Sequence, residues 1–105
     1  MSININSKLD IQKYFWDISL EGELDVSTAD KLKEHLYTLV EKKMADMKID
    51  LTNLDYIDST GLGVMIGVLK KLKISDKEIY IINPKNNVKK IFTITGLDKI
   101  FKVEG

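Results

Sequence analysis

The alternation of apolar and polar residues near the start of the chain predicts two β-strands. Residues 3–6 and 14–20 alternate apolar with polar side chains, which is the period of a strand with one buried face. The polar stretch 10–13 between them predicts a hairpin turn. A loop over 21–26 is then expected before the pattern changes to a helical period.

Apolar residues at helical spacing over 29–44, 62–72 and 88–95 predict three helices. Ser27 is placed to cap the first of them, and Gly96 is placed to end the last. Three strands are predicted between and after the helices. They are 47–51, followed by a loop over 52–58; 79–82, expected to be buried on both faces; and 100–103.

The resulting order, β-β-α-β-α-β-α-β, predicts an α/β fold. Strands that alternate with helices imply parallel strands joined by right-handed crossovers. We expect a single domain over 1–105, with a mixed, mostly parallel sheet of about five strands, an N-terminal antiparallel hairpin and three helices.

The composition and charge of the chain exclude several classes of function. The 105 residues carry no cysteine, so disulfides, thiolate metal sites and cysteine nucleophiles are excluded. Sixteen basic residues balance sixteen acidic ones, and every basic residue is a lysine. Without arginine or excess positive charge, direct nucleic-acid binding is not expected.

The longest apolar stretch, near 61–69, is too short to span a bilayer, and no targeting signal is recognised. We therefore expect a cytoplasmic protein without a membrane partner.

The segment from Asp55 to Gly67 is the part of the sequence that a purely structural role explains least well. It leads from a predicted strand into a predicted helix, and in open α/β sheets ligands and partners meet such strand ends. It also holds Gly61 and Gly63, and each glycine inside a helix costs about 1 kcal/mol relative to alanine. We therefore expect a close backbone approach here, either to the sheet or to a molecule docking from outside.

Ser59 and Thr60 lie at the start of that helix and allow two interpretations. The first is a helix cap, in which a hydroxyl accepts from backbone amides one turn on. The second is covalent modification of Ser59. A phosphate there would meet free helix N–H groups, which favour it, and the carboxylates of Asp55 and Asp58, which do not.

Enzyme motifs are absent from the same region. The third glycine after Gly61 and Gly63 is Gly67, one residue too far for a dinucleotide-binding loop, and no phosphate-binding P-loop is present. His35 is the single histidine, and its position among leucines of the first helix is typical of a residue at the edge of the core rather than of a catalytic base. No metal-ligand spacing is found, so no cofactor or metal is expected and the protein is interpreted as a non-enzyme.

A second acidic segment, Gly22-Glu23-Leu24-Asp25, precedes the first helix. Its glycine and the hydroxyls that follow are typical of a turn with a cap. Alternatively, its acids form a lip on the same sheet edge as Asp58, with Asp25 on the face of Ser59 and in contact with a partner.

These segments together resemble the STAS domain of bacterial anti-sigma factor antagonists. The resemblance rests on Asp58-Ser59-Thr60-Gly61-Leu62-Gly63-Val64, with the Gly22 segment upstream and Gly96-Leu97-Asp98-Lys99-Ile100-Phe101 downstream, and it covers nearly the whole chain. Family members commonly carry a further helix after the last strand, and this sequence ends at Gly105.

The resemblance implies a non-enzymatic partner switch. It implies that Ser59 is phosphorylated by an anti-sigma factor that is also a kinase of the GHKL ATPase type, and that a PP2C-type phosphatase removes the phosphate. The unphosphorylated form would bind the anti-sigma factor and release the sigma factor. Partner-binding residues would be Asp25, Asp58, Thr60, Gly61 and Gly63. Two alternatives are a STAS assembly subunit of a membrane transporter and a small nucleotide-binding protein or enzyme.

Overall fold

Five strands and three α-helices follow one another in the predicted order. The computed structural model describes residues 2–105. The strands are β1 (Ile3–Asp10), β2 (Phe15–Leu24), β3 (Asp46–Ile57), β4 (Ile79–Ile82) and β5 (Lys102–Glu104), and the helices are α1 (Ala29–Lys42), α2 (Ser59–Lys73) and α3 (Asn86–Ile94). One 3₁₀ turn, Leu97–Lys99, joins α3 to β5. The predicted α/β class and element order are confirmed.

The strands form one sheet in sequence order, β1-β2-β3-β4-β5. The first pair is antiparallel and the other three are parallel. Because each parallel strand is added beside its predecessor in the same direction, right-handed crossovers put all three helices on one face. The carboxyl ends of β2, β3 and β4 consequently meet at the same edge of the sheet.

The core lies between that face and the helices. Burial alternates along β2 and the first half of β3, so that every second side chain points to the helices. Helices α1, α2 and α3 meet them with apolar stripes of period 3.6. Fully buried side chains from both layers include Ile18, Leu20, Leu32, Leu36, Met47, Ile49, Met65, Leu72 and Phe92.

Two predicted loops are wrong over most of their length, because β2 and β3 extend into them. The expected loops at 21–26 and 52–58 contain the ends of β2 and β3, which remain paired as far as Leu24 and Ile57. The register shifts twice along this pair, between Ser19 and Glu21 and between Gly22 and Glu23. Such bulges interrupt the two-residue alternation, so Leu51, Leu54 and Ile57 are buried at intervals of three and do not read as a strand.

Smaller predictions also change. Ser27 does not cap α1, since the residue preceding that helix is Thr28. Strand β4 is buried on one face only, with Ile79 and Ile81 inside and their neighbours half-buried. The last strand begins at Lys102 rather than at residue 100. Gly96 follows α3 in a left-handed conformation, φ 74°, as the sequence predicts for a glycine that ends a helix.

Candidate functional site

The two segments singled out in the sequence lie side by side at the carboxyl edge of the sheet. Leu24, the last residue of β2, is paired with Ile57, the last residue of β3. One residue further on, the backbone N–H of Asp58 donates to the carbonyl of Leu24 at 3.1 Å. The loop that leads into α1 and the loop that leads into α2 are therefore joined where each leaves the sheet.

Helix α2 is capped by Asp58, and neither Ser59 nor Thr60 serves as its cap. The Asp58 carboxylate accepts from the N–H of Gly61 at 3.0 Å, and its carbonyl accepts from the N–H of Leu62. Asp58 has extended dihedrals, φ −117° and ψ −177°, as N-cap residues typically do. With the cap supplied one residue earlier, Ser59 becomes the first residue of the helix and its side chain is exposed.

An anion on Ser59 would meet opposing influences. The first N–H groups of an α-helix have no acceptor inside the helix, and the aligned peptide dipoles favour negative charge at this end. The N–H of Gly61 is bound to the Asp58 carboxylate and that of Leu62 makes the first helical bond, to the Asp58 carbonyl, which leaves the N–H groups of Ser59 and Thr60 available at the start of the helix. The carboxylate of Asp58 next to them repels a second negative charge.

Gly61 and Gly63 of α2 differ in how closely other atoms approach them. A Cβ on Gly61 would lie 2.4 Å from Cγ of Leu24, so this glycine allows the start of α2 to pack against the end of β2. A Cβ on Gly63, which is exposed, would meet no atom within 4 Å. The close approach expected at Gly61 is thus to the sheet, whereas the surface at Gly63 is open to the outside.

Asp25 is turned into its own loop. It is only 7% exposed, and its carboxylate accepts from the N–H of Ser27 at 2.9 Å and from the hydroxyl of Ser27 at 2.6 Å. Its carbonyl accepts from the N–H groups of Thr28 and Ala29 at the start of α1. The Ser27 hydroxyl holds the pKa of the Asp25 carboxyl below its usual value, against the opposing effect of burial. This geometry favours the turn-and-cap interpretation of the segment over the acidic lip.

A lysine reduces the negative charge of the same edge. Lys85, which follows β4, forms an ion pair with Asp55 near the end of β3. Asn87 in the first turn of α3 donates to the carbonyl of Asp55 at 2.9 Å. The sheet edge on which an acidic lip was one expectation therefore also carries Lys85, which the sequence analysis missed. Lys85 follows a parallel strand and so belongs to the same edge, a signal that the strand order alone could have supplied.

Two apolar side chains on this edge were also missed. Val26 is 76% exposed in the loop before α1, and Tyr56 is 46% exposed near the end of β3. Both lie in the segments predicted to be loops, 21–26 and 52–58, where the hydrophobic pattern assigns no face to a side chain. They add exposed apolar surface near the paired ends of β2 and β3.

Other candidates in the chain do not add a second site. Within residues 2–105, no group of three or more His, Asp or Glu side chains is arranged to hold a metal ion. Nor does that part of the chain contain a helix of the length and apolarity needed to cross a membrane. His35 is half-buried, with its Nε2 2.8 Å from Oγ of Ser7 in β1. Partial burial, together with Lys42 and Lys31, lowers the pKa of its imidazole.

Comparison with known proteins identifies relatives over the whole chain. A family model described as the STAS domain matches residues 6–105. The anti-sigma-B factor antagonist of Staphylococcus aureus is 38% identical over 101 residues, which are 96% of this chain and 94% of that protein.

Solved structures agree with this assignment. An anti-sigma factor antagonist from Mycobacterium paratuberculosis superposes with a TM-score of 0.78 at 27% identity, covering 97% of this chain and 85% of the other. The anti-sigma factor antagonist SpoIIAA in its unphosphorylated form gives a TM-score of 0.82 at 20% identity, covering 97% and 89%. SpoIIAA has also been solved in a phosphorylated form, from Bacillus, which gives a TM-score of 0.75 at 19% identity and covers 97% and 92%.

Proposed function

Because the chain belongs to the STAS-domain family and is an anti-sigma factor antagonist, we propose that it acts as a switch controlled by phosphorylation of Ser59. Unphosphorylated, it binds an anti-sigma factor and so releases the sigma factor which that protein holds. Phosphorylated on Ser59, it no longer binds, and the anti-sigma factor recaptures the sigma factor. The protein itself catalyses no reaction in this cycle.

The observation that supports the proposal is that Asp58 caps α2 while Ser59 has no capping role. Asp58 caps α2, so the hydroxyl of Ser59 is not needed for the fold and is exposed on the first turn. A hydroxyl at that place can enter the active site of a kinase without local unfolding. SpoIIAA, a structural relative solved in both forms, is by its description a phosphorylated protein of this kind.

The proposed modification is a phosphoryl transfer from ATP. The Ser59 Oγ attacks the γ-phosphorus, the bond from that phosphorus to the bridging oxygen breaks, and ADP leaves, while a base on the kinase takes the hydroxyl proton. The kinase is proposed to be the anti-sigma factor itself, of the GHKL ATPase type. A PP2C-type phosphatase would return Ser59 to its free form by hydrolysis. Since sigma factors act on RNA polymerase, the cycle is proposed to take place in the cytoplasm.

The phosphate changes the surface more than the fold. A phosphoserine carries about −1.5 to −2 charges, and the N–H groups of Ser59 and Thr60 can donate hydrogen bonds to its oxygens. The neighbouring carboxylate of Asp58 and the only partly neutralised one of Asp55 increase the negative potential that a partner would meet. A partner surface suited to the free hydroxyl is thereby repelled without any rearrangement of the sheet.

The binding surface is proposed to surround Ser59. Asp58 presents the serine, and Thr60 and Gly63 extend the surface along α2. Gly61 contributes by keeping the helix close to β2. Asp25 contributes indirectly, because its buried turn sets the position of the neighbouring Val26. Val26 and Tyr56 add apolar contacts, which are typical of the centre of a protein interface.

The proposal is tested with the anti-sigma factor of the source organism and ATP. Intact-mass measurement should show one added phosphate, and peptide mapping should locate it on Ser59. Thr60→Ala is the matched control and should still accept the phosphate, whereas Ser59→Ala should not. A phosphate on Thr60, or unchanged binding to the anti-sigma factor after full phosphorylation, would refute the switch.

A further inference from the structure

A groove runs along the surface between α1 and α2, beginning next to Ser59. Lys33 and Tyr37 line it from α1, and Thr60, Gly63 and Gly67 line it from α2. We refer to these five residues as the α1–α2 groove. Since Thr60 directly follows Ser59, a segment lying in the groove would extend to the proposed phosphorylation site.

The groove is open because of a glycine that the fold does not require. Gly61 is needed for packing against Leu24, and a Cβ on Gly67 would lie 3.1 Å from the hydroxyl of Tyr37. A Cβ on Gly63 would meet nothing within 4 Å, although a glycine there costs the helix about 1 kcal/mol relative to alanine. A close approach by another molecule is the remaining reason for a glycine at this position.

Within the lining Lys33 is offset by Asp30, and the excess positive charge comes from Lys71, which lies beside the lining at the ring of Tyr37. Lys33 and Lys71 both hold their ammonium groups over the ring of Tyr37, at 5.9 Å and 5.1 Å from its centroid. The ion pairs found within residues 2–105 are Lys73 with Glu78 and Lys85 with Asp55, so neither of these two lysines has a carboxylate partner there. Asp30 is the one acidic residue on the groove lining. Two ammonium groups around one aromatic ring, neither paired with a carboxylate of the described residues, complement carboxylates of an incoming chain.

We propose that the α1–α2 groove binds an acidic segment of the anti-sigma factor, beside Ser59. The proposal rests on the proposed function, because it names a further contact of that partner. The backbone of the segment approaches α2 at Gly63, and its Asp or Glu side chains pair with Lys33 and Lys71. The groove then aligns the partner along α2 and directs it towards the Ser59 hydroxyl.

Two kinds of variant test the groove independently. Gly63→Gln fills it with a good helix former, and the double variant Lys33→Glu, Lys71→Glu reverses its charge. Lys13→Glu, which changes the net charge by −2 where the double variant changes it by −4, is the charge control, because Lys13 lies in the β1–β2 turn at the opposite edge of the sheet. Binding of the unphosphorylated chain to the anti-sigma factor is measured by calorimetry at low and high ionic strength, with melting temperatures to verify folding.

Both groove variants should bind about tenfold more weakly or worse, while Lys13→Glu stays within about twofold of the wild type. The loss in the charge-reversed variant should shrink at high salt, where the Debye length falls from about 10 Å at 0.1 M to about 3 Å at 1 M. The loss in Gly63→Gln should persist there, because it is steric. The melting temperature of Gly63→Gln should not fall.

The failures of the two proposals are distinguishable. If both groove variants bind like the wild type while Ser59→Asp still weakens binding, the groove proposal is overturned and the switch stands. If the wild type does not bind the anti-sigma factor at all, both proposals are overturned.

Discussion

At the residue scale, Asp58 has the structural role at the start of α2, and Ser59 is the residue with the proposed function. Asp58 is the residue whose carboxylate satisfies a helix N–H, and Ser59 is an exposed hydroxyl beside it. The sequence alone could not decide which of the polar residues 58–60 was the cap, because aspartate, serine and threonine are all good caps. The answer depended on where β3 ends, and the bulges that extend β3 to Ile57 leave no signal in the hydrophobic pattern.

Ser59→Ala should therefore leave the fold unchanged. An exposed side chain without a capping role contributes within about 0.5 kcal/mol of stability, so the melting temperature should match that of the wild type. Asp58→Ala is the contrasting variant and should lose about 1 kcal/mol, because it removes the cap. Thermal denaturation followed by circular dichroism measures both. A large loss of stability in Ser59→Ala would show that the serine has a structural role.

Asp25, unlike Ser59, has a structural role, because its carboxylate stabilises a turn. Asp25→Ala removes the acceptor for the N–H and hydroxyl of Ser27, so the melting temperature at pH 7 should fall by several degrees. The folded-state pKa of Asp25 is lowered, so its contribution is fully present above the unfolded value of 3.8 and is lost as the pH falls through the folded pKa. The difference between variant and wild type should accordingly narrow below pH 3.8.

The comparison of Asp25→Ala with Asp25→Asn separates the two interpretations of this loop. The amide retains an oxygen acceptor without the charge, and its melting temperature should lie between those of the wild type and the alanine variant. If both variants melt like the wild type but associate more slowly with the anti-sigma factor at low salt, Asp25 acts through a partner and the turn interpretation is wrong.

At the element scale, the packing of α2 against the end of β2 holds the site together. The element order was predictable from periodicity, because the helices carry regular apolar stripes and β1, β2 and the first half of β3 alternate. The joined ends of β2 and β3 were not, since Leu51, Leu54 and Ile57 do not alternate. Val26 and Tyr56 were not identified either, because both lie in segments predicted to be loops. The roles of Gly61 and Gly63 could not be distinguished from the sequence either, because a glycine in a sequence does not show which neighbouring atoms approach it.

Alanine at the two glycines should have opposite effects on stability. In Gly61→Ala the new methyl group would overlap the side chain of Leu24, and overpacking of this kind costs about 1–3 kcal/mol. In Gly63→Ala it would meet no neighbouring atom, so the gain in helix propensity of about 1 kcal/mol should appear undiminished. Urea denaturation of the two variants gives both values. Equal changes in the two would mean that α2 does not pack against Leu24 as described.

At the scale of the whole molecule, the helices and the site depend on a single covered face of the sheet. Helix α1 is fixed over the edge of that face by two contacts to β1. The Lys31 ammonium donates to the carbonyl of Ile3 at 2.7 Å, and the imidazole of His35 lies 2.8 Å from the Ser7 hydroxyl. Since β1 is the outer strand of the antiparallel hairpin, these contacts tie the hairpin to the helix that follows it. A change in charge at His35 thus acts on the stability of the entire domain.

The free energy of unfolding should therefore decrease as the pH falls below 6.5, because of His35. Partial burial, then Lys42 and Lys31, lower its pKa in the folded protein, so below pH 6.5 the unfolded chain takes up a proton that the folded one does not. Its contribution is fully present above pH 6.5 and is lost as the pH falls through the lower pKa of the folded protein. His35→Gln should remove this part of the slope in the free energy of unfolding, measured with urea at several pH values. Lys42→Gln, which keeps the imidazole but removes one neighbouring charge, should only reduce it. An undiminished slope in His35→Gln would show that another group controls stability in this range.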